Sequence, residues 1–194
     1  MSLGALTSDA RGQSLVGFKA GAAMADVRGE VTGDHSPRVD FTASFFVQLG
    51  PREGFSVQLE AAFTERGTVE QDLDDGLSTT YDEGSWEYRY WDLAVLPKFT
   101  VGSGPVRGAV YAGPYLGTLF TAKLLTNEGD LGIRGSTKPI DLGGIVGISM
   151  EAPRGLLIDL RYSTGFGEFD GALFDRVYRR KHSVIVATIG KAWS

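Results

Sequence analysis

The sequence contains no cysteine, no long apolar run and no excess of basic residues. The absence of cysteine excludes disulfides, thiol catalysis and thiolate metal sites. The longest uncharged stretch, Gly108–Ala122, is shorter than the roughly 20 residues that a membrane-spanning helix needs, and it contains glycine and proline. The formal net charge is −5 and no basic stripe with interleaved aromatic residues is present, so we expect no nucleic-acid partner.

The N-terminal segment lacks the basic start and the long apolar core of a secretory signal peptide. We assign residues 1–13 to an N-terminal extension and residues 14–194 to a single domain, a length ample for one closed core. We expect Met1, Ser2 and Leu3 to stand in place of a removed signal peptide. We therefore expect that the native chain is exported, although this N-terminal segment does not itself carry the signal.

Glycine is the most over-represented residue, with 27 among 194 residues, about twice its ordinary share. The glycines follow no three-residue period, which excludes collagen. Charged residues make up 22% and aromatic residues 11% of the chain, a composition that argues against disorder. The composition therefore predicts a folded, glycine-rich β-protein.

Eight segments are predicted as strands, and seven of them alternate apolar and polar residues with a period of two, which is typical of strands and not of helices. In the third segment, Val57 and Leu59 share one face while Gln58 and Glu60 share the other. The last segment is apolar on both faces, so its facing stays open. The predicted strands are Leu15–Val27, Val39–Leu49, Phe55–Glu65, Trp86–Thr100, Gly108–Ala122, Lys138–Met150, Leu156–Phe166 and His182–Trp193.

Short and long connections alternate strictly along the chain. The short turns are Gly50–Gly54, Val101–Arg107 and Glu151–Gly155, and between them lie the long polar loops Arg28–Arg38, Arg66–Gly84, Lys123–Thr137 and Gly167–Lys181. This alternation places all the long loops at one end and both termini at the other, as in outer-membrane barrels. We therefore predict an all-β fold, an eight-stranded antiparallel up-and-down β-barrel of the transmembrane type.

The period of two does not say which face points outward. A soluble lipocalin-like barrel that binds a small apolar ligand would have the same strands with the apolar face inside. Two observations favour the membrane barrel. Eight apolar stripes rich in phenylalanine would overfill a narrow interior, and the glycines cluster on the polar face, where an eight-stranded lumen has the least room.

The sequence resembles the outer-membrane β-barrel domain family that includes the PorT-like and OmpX-like small barrels. The resemblance covers the chain after Ser14 and rests on segments 17–21, 57–67, 91–98, 111–117 and 159–163, with Trp193 near the end. It departs from the family pattern in strand four, where the family has its proline earlier, and at Lys191, where the family has an aromatic residue. The resemblance implies a fold and a location in the bacterial outer membrane, and it implies little about activity.

Seven charged residues fall mid-strand on the polar face. In a membrane barrel they lie inside, where their signs nearly balance and allow pairing. We expect an ion-pair network that plugs the lumen, and a proton or ion path is the alternative. If the network forms, the combined change Arg161→Met with Asp159→Leu should fold better than either single change. The candidate lumen residues are Lys19, Glu60, Asp92, Lys98, Asp141, Asp159 and Arg161.

Two of the long loops carry charge of one sign. The second loop is acidic but lacks the spacing of a calcium loop, so solvation and weak divalent-cation binding both stay open. Its acidic residues are Glu70, Asp72, Asp74, Asp75, Asp82 and Glu83. The fourth loop is basic near its end, and contact with lipid phosphate or simple solvation would both suit it. Its basic residues are Arg176, Arg179, Arg180 and Lys181.

We predict no catalytic residues, no metal site and no cofactor. His182 and Ser183, with Asp170 or Asp175 nearby, are the only candidates for acid–base chemistry at the rim. Neighbouring residues of a strand point to opposite faces, so His182 cannot readily activate Ser183. The glycine pairs at Gly102 and Gly165 lack the spacing of a nucleotide-binding loop.

These observations predict a small integral outer-membrane barrel with a plugged lumen. We expect it to stabilise the envelope or to present its loops to a protein partner, and to be neither a catalyst nor an open pore. The alternatives are the soluble ligand-binding barrel and a lipid-modifying enzyme acting at the rim. The expected partners are outer-membrane lipid and an unknown protein.

Overall fold

The computed structural model of the chain describes residues 14–29, 35–74, 80–102, 104–126, 129–132, 139–166, 169–173 and 176–193. Residues 1–13, the predicted extension, lie outside the described residues. The described residues form ten strands, and no helix among them is long and apolar enough to cross a membrane. The strands are β1 (Leu15–Gly29), β2 (His35–Leu49), β3 (Gly54–Asp74), β4 (Thr80–Val101), β5 (Arg107–Thr126), β6 (Gly129–Gly132), β7 (Ile140–Ala152), β8 (Leu156–Gly165), β9 (Phe169–Leu173) and β10 (Arg176–Trp193).

Eight of these strands close a barrel. Each pairs antiparallel with its neighbour in the order β1-β2-β3-β4-β5-β7-β8-β10, and β10 pairs with β1 to complete the ring. The two short strands lie outside the ring, β6 on the end of β5 and β9 on the end of β10. The predicted eight-stranded up-and-down barrel is confirmed.

The apolar face of every barrel strand points outward. Leu59, Leu93 and Val146 are about half exposed, whereas their polar neighbours along the strands are buried. The faces assigned from the period of two are therefore confirmed, and the soluble reading, which puts the apolar face inside, has the wrong facing. In β10 the even-numbered residues point inward, so Val184 and Val186 pack against alanines of β1 inside the barrel.

The three short turns lie where the sequence predicts them. The turns after β2 and β4 begin at Gly50 and Gly102, whose φ angles of 117° and 106° favour glycine. The third, at Pro153–Gly155, has Arg154 and Gly155 in the left-handed region, with φ angles of 65° and 75°. Both ends of the barrel chain, Leu15 and Trp193, lie at this end of the molecule.

The long loops are much shorter than predicted. β3 continues to Asp74 and β4 begins at Thr80, so most of the predicted loop 66–84 is a paired hairpin. His35, expected in a loop, begins β2, and β6, β9 and the start of β10 lie within the other predicted loops. The physical reason is that strands surrounded by water on both faces need no alternation, so the period of two disappears while the backbone pairing continues.

The outer apolar belt has a defined upper limit. On β3 it runs from Phe55 to Phe63, about 20 Å along the barrel axis for tilted strands. Two residues further on, the Nε of Arg89 lies 3.0 Å from a carboxylate oxygen of Glu65 on the outer face. An outward ion pair belongs in the water or headgroup layer, so the hydrocarbon ends between Phe63 and Glu65.

A charge placed in the middle of the belt tests this facing. Leu59, midway between Phe55 and Phe63, points outward, so Leu59→Arg should lower the free energy of unfolding by about 2–4 kcal/mol. Urea unfolding from lipid vesicles measures it. Val106→Arg, in the exposed turn after β4, is the control and should change stability little. Equal stability of both variants would contradict the assigned facing.

Candidate functional site

The candidate site is the interior of the barrel. The seven candidate lumen residues are all buried, and they project inward from β1, β3, β4, β7 and β8. Together with their polar neighbours, these residues form two clusters, one on either side of the barrel's middle.

We call them the Glu60 cluster (Lys19, Gln58, Glu60, Lys98, Tyr111, Asp159 and Arg161) and the Arg66 cluster (Arg66, Tyr90, Asp92, Tyr115 and Asp141).

Glu60 on β3 is the centre of the first cluster. The Nζ of Lys19 lies 2.9 Å from its Oε2, and Nη1 of Arg161 donates to its Oε1. Nε2 of Gln58 donates to Oε2 of the same carboxylate over 2.8 Å. One buried carboxylate is thus paired with two cations from β1 and β8, which joins three strands across the lumen.

Asp159 and Lys98 extend this cluster toward the short turns. Asp159 lies 3.4 Å from the Nζ of Lys19 and accepts a hydrogen bond of 2.8 Å from the hydroxyl of Tyr111. Lys98 donates to Oε1 of Gln58 over 3.2 Å. Among the described residues, Arg161 forms its ion pair with Glu60, so the proposed pair of Arg161 with Asp159 is the wrong test pair.

Arg66 is the centre of the second cluster, and the sequence analysis missed it. Its Nη2 donates to Asp92 over 2.6 Å and its Nη1 to Asp141 over 2.8 Å. Tyr115 donates to the same Asp141 oxygen over 2.7 Å. The guanidinium carbon also lies 4.6 Å from the ring centre of Tyr90 and 5.4 Å from that of Tyr115, within cation–π range.

The sequence predicts a loop at Arg66, because the alternation that defines the third strand ends at Glu65. The signal that could have found it is its parity, since Arg66 continues the inward series of Glu60, Ala62 and Thr64. With Arg66 included, both acidic residues of the second cluster have a cation within hydrogen-bond distance.

Glycines make room for the tyrosines of both clusters. A Cβ at Gly147 on β7 would lie 2.5 Å from Cζ of Tyr111, and one at Gly143 would collide with the ring of Tyr115. Both glycines stand opposite these tyrosines in the pairing of β5 with β7. These inward glycines therefore leave the space that the two tyrosine rings occupy, and each hydroxyl reaches its carboxylate. We call each such space a glycine socket.

The clusters leave little space between them. A cavity of about 10 Å³ lies between Glu60 and Arg161 on one side and Arg66 and Asp92 on the other, room for about one water molecule. Phe46 and Leu96 are also fully buried inside the barrel.

The remaining candidate residues lie near the other end of the barrel. Arg176, Arg179, Arg180, Lys181 and His182 belong to β10, but their side chains lie outside the described residues. Of the acidic residues, Glu70, Asp72 and Asp74 belong to β3 and Asp82 and Glu83 to β4, again without described side chains, and Asp75 lies outside the description.

Ser183 is described, and its hydroxyl accepts a hydrogen bond of 3.0 Å from Tyr162. Asp170 lies in β9 and Asp175 lies outside the described residues. Within the described part of the chain, no group of three or more histidine, aspartate or glutamate side chains is arranged to hold a metal ion.

An apolar outer belt around a closed barrel with ion-paired charges inside defines an integral β-barrel of the outer membrane. The chain matches the family described as outer membrane protein beta-barrel domain over residues 8–171, and it belongs to that family. It is a bacterial outer-membrane protein. A comparison with curated protein sequences finds no match.

Two solved structures support the fold. The chain is similar to the outer membrane protein OprG from Pseudomonas aeruginosa, with a TM-score of 0.54, 13% identity, and coverage of 94% of this chain and 97% of that one. It is also similar to Ail, the attachment invasion locus protein of Yersinia pestis, with a TM-score of 0.51, 13% identity, and coverage of 93% and 99%.

Removing the cation of the second cluster should be costly. Arg66→Met leaves the buried carboxylates of Asp92 and Asp141 without their cation, and we expect a loss of about 3–5 kcal/mol of folding free energy. Arg89→Met is the matched control, because Arg89 is about two-fifths exposed on the outer face and should contribute at most about 1 kcal/mol. Equilibrium unfolding in lipid vesicles measures both, and equal losses would refute the assigned role of Arg66.

A side chain added at one of these glycines should destabilise the barrel. Gly147→Ala places a methyl group against Tyr111, and we expect a loss of about 1–3 kcal/mol from overpacking. Gly108→Ala on β5 is the control, because its Cβ would meet nothing nearer than 4.0 Å. In the Tyr111→Ala background the alanine at 147 should cost clearly less, because only the contact of 2.9 Å with the Cβ of Arg161 remains. An unchanged penalty in the absence of the ring would contradict the socket.

Proposed function

We propose that this protein is a closed outer-membrane barrel without catalytic activity, which stabilises the envelope and presents its long-loop end to a protein partner. The observation that supports the proposal is a pair of ion-paired clusters inside the barrel. Two ion-paired clusters, centred on Glu60 and Arg66, occupy the interior and leave room for about one water molecule between them.

The number of partners of each buried carboxylate favours a plug over an ion path. Glu60, Asp141 and Asp159 each hold two or more partners from other strands. Groups held in this way are not free to exchange ligands with a passing ion, since conduction needs binding weak enough to release. The same contacts tie opposite walls together, which suits a structural role.

The presentation role is supported by the length of the β3–β4 hairpin. These strands have 21 and 22 residues, about twice the 9–11 that cross a bilayer. They remain paired from Glu65 and Arg89, at the limit of the belt, to Asp74 and Thr80. A paired ribbon that stands clear of the membrane gives a partner a preorganised surface at low entropic cost.

Lipid phosphate is the second partner that we propose for this end. Arg176, Arg179, Arg180 and Lys181 follow one another in the part of β10 that precedes its apolar outward run. Basic residues at this position suit the phosphate groups of the adjacent leaflet, because arginine binds phosphate through two donors.

Conductance tests the closed lumen. In planar bilayers the wild-type protein should give the baseline current of the protein-free membrane, because an ion would have to pass two ion-paired clusters with room for about one water molecule between them. The variant Arg66→Ala/Tyr115→Ala/Arg161→Ala, checked for folding by its gel mobility before and after boiling, should give measurable current. Discrete current steps from the wild-type protein would contradict the proposal.

A further inference from the structure

Lys191 is a basic residue on the lipid-facing side of the barrel. The odd-numbered residues at this end of β10 point outward, so Lys191 stands between the exposed side chains of Ile189 and Trp193. Its partners in the register, Phe18 on β1 and Leu156 on β8, are also exposed and apolar. A cation on such a surface is stable only where it reaches the headgroup layer.

Lys191 lies at the short-turn end of the barrel. Its partner Leu156 is the first residue of β8 and directly follows the turn at Pro153–Gly155. Beside Lys191 on the outer face, Phe18 stacks on Trp193 with 5.8 Å between the ring centres. Aromatic residues mark the membrane–water interface, and the short turns of outer-membrane barrels face the periplasm. Lys191 therefore stands in the headgroup layer of the periplasmic leaflet.

The turn before β8 supplies a second cation. Arg154 is exposed and has a φ angle of 65°, in the left-handed region. The Nζ of Lys191 donates to its backbone carbonyl, which holds the ammonium group against the turn. This contact uses one of the three ammonium donors, and the guanidinium of Arg154 has no hydrogen bond to any described residue. Both side chains therefore have donors left for a ligand.

Neither cation has a carboxylate partner within the described part of the chain. Glu151, which ends β7 near the same turn, is already engaged, because its carboxylate accepts from Nη2 of Arg107 over 2.6 Å. Two positive charges thus stand together at the edge of the hydrocarbon without an acidic residue to neutralise them.

The other outward cation of the barrel wall differs in this respect. Arg89, at the opposite limit of the apolar belt, lies within 3.0 Å of Glu65 and 2.8 Å of Glu87. The protein itself supplies its counter-ions. At Lys191 and Arg154 the counter-ion must come from the surroundings, and the nearest anions are the phosphates of the leaflet.

We propose that Lys191 and Arg154 form a binding site for the phosphate of an anionic phospholipid in the periplasmic leaflet. The guanidinium binds phosphate through two donors, and the ammonium adds a point charge. The acyl chains lie along the exposed side chains of Phe18, Ile189 and Leu156. An anionic headgroup is favoured over a zwitterionic one, because the ammonium of the latter would face two positive charges. The site does not depend on the closed lumen or on a protein partner.

Quenching of tryptophan by brominated lipids tests the site, because Trp193 stands beside it. In the background Trp86→Phe/Trp91→Phe, Trp193 is the only tryptophan. This protein is placed in phosphatidylcholine vesicles with a rising fraction of phosphatidylglycerol that carries bromine in its acyl chains. A parallel series with brominated phosphatidylcholine corrects for the exposure of Trp193. We expect phosphatidylglycerol to reach half-maximal quenching at a clearly lower mole fraction than phosphatidylcholine.

Single substitutions in this background locate the site. A basic residue at an anionic lipid surface contributes about fivefold in binding. Lys191→Gln and Arg154→Gln should therefore each raise the half-quenching fraction of phosphatidylglycerol about fivefold, and Lys191→Arg should retain the original value. Arg52→Gln is the matched control, because it removes the same charge from the turn between β2 and β3 and should change nothing. Gel mobility before and after boiling checks the folding of each variant.

Three results would overturn the proposal. The first is equal quenching by the two brominated lipids. The second is an equal effect of Lys191→Gln and Arg52→Gln, which would indicate a diffuse attraction to the whole short-turn end. The third is loss of the preference when inorganic phosphate replaces chloride at constant ionic strength, which would show that the site takes free phosphate and not a lipid. We expect the preference to persist in phosphate.

Discussion

The ion pairs of Glu60 and Arg66 are the interactions on which the rest of this barrel depends. A barrel of eight strands has an interior just wide enough for side chains. Charged groups in that space are shielded from bulk water, and lipid surrounds the wall outside. Lys19 and Arg161 pair with Glu60, and Asp92 and Asp141 pair with Arg66. Without these pairs, inward charge would favour an unfolded chain.

The ion-paired clusters also require small residues in the facing barrel wall. Tyr111 and Tyr115 reach Asp159 and Asp141 only because glycines of β7 leave space for their rings. The abundance of glycine, conspicuous in the composition, is therefore partly a consequence of placing large polar side chains in a narrow lumen. The outer face has the opposite requirement, so large apolar residues gather there.

Much of the fold could be predicted because lipid enforces a strict rule. Within the belt the strands alternate, so the sequence predicts the eight strands, the two faces of seven of them and the short turns. Above Glu65 and Arg89 the rule ends, and the predicted strand ended there too, which left Arg66 in a loop. A strand surrounded by water carries no comparable signal.

The partners inside the lumen could not be predicted for a different reason. Arg66 and Asp141 are 75 residues apart, and Arg161 and Glu60 are 101 apart. The odd or even position of a residue along its strand predicts that its side chain points inward. Its position along the barrel axis depends on the register and stagger of all the strands between the two residues.

The most direct test of the central claim is a thermodynamic cycle on the Arg66 cluster in lipid vesicles. The three proteins are Arg66→Met, Asp92→Leu/Asp141→Leu, and the combined triple variant, each compared with the wild type by equilibrium unfolding. If the charges matter through pairing, the triple variant is more stable than either partial one, because it leaves no buried charge without its partner. Strictly additive losses would show that the three residues do not act as one ion-paired unit, and the account of the lumen would be wrong.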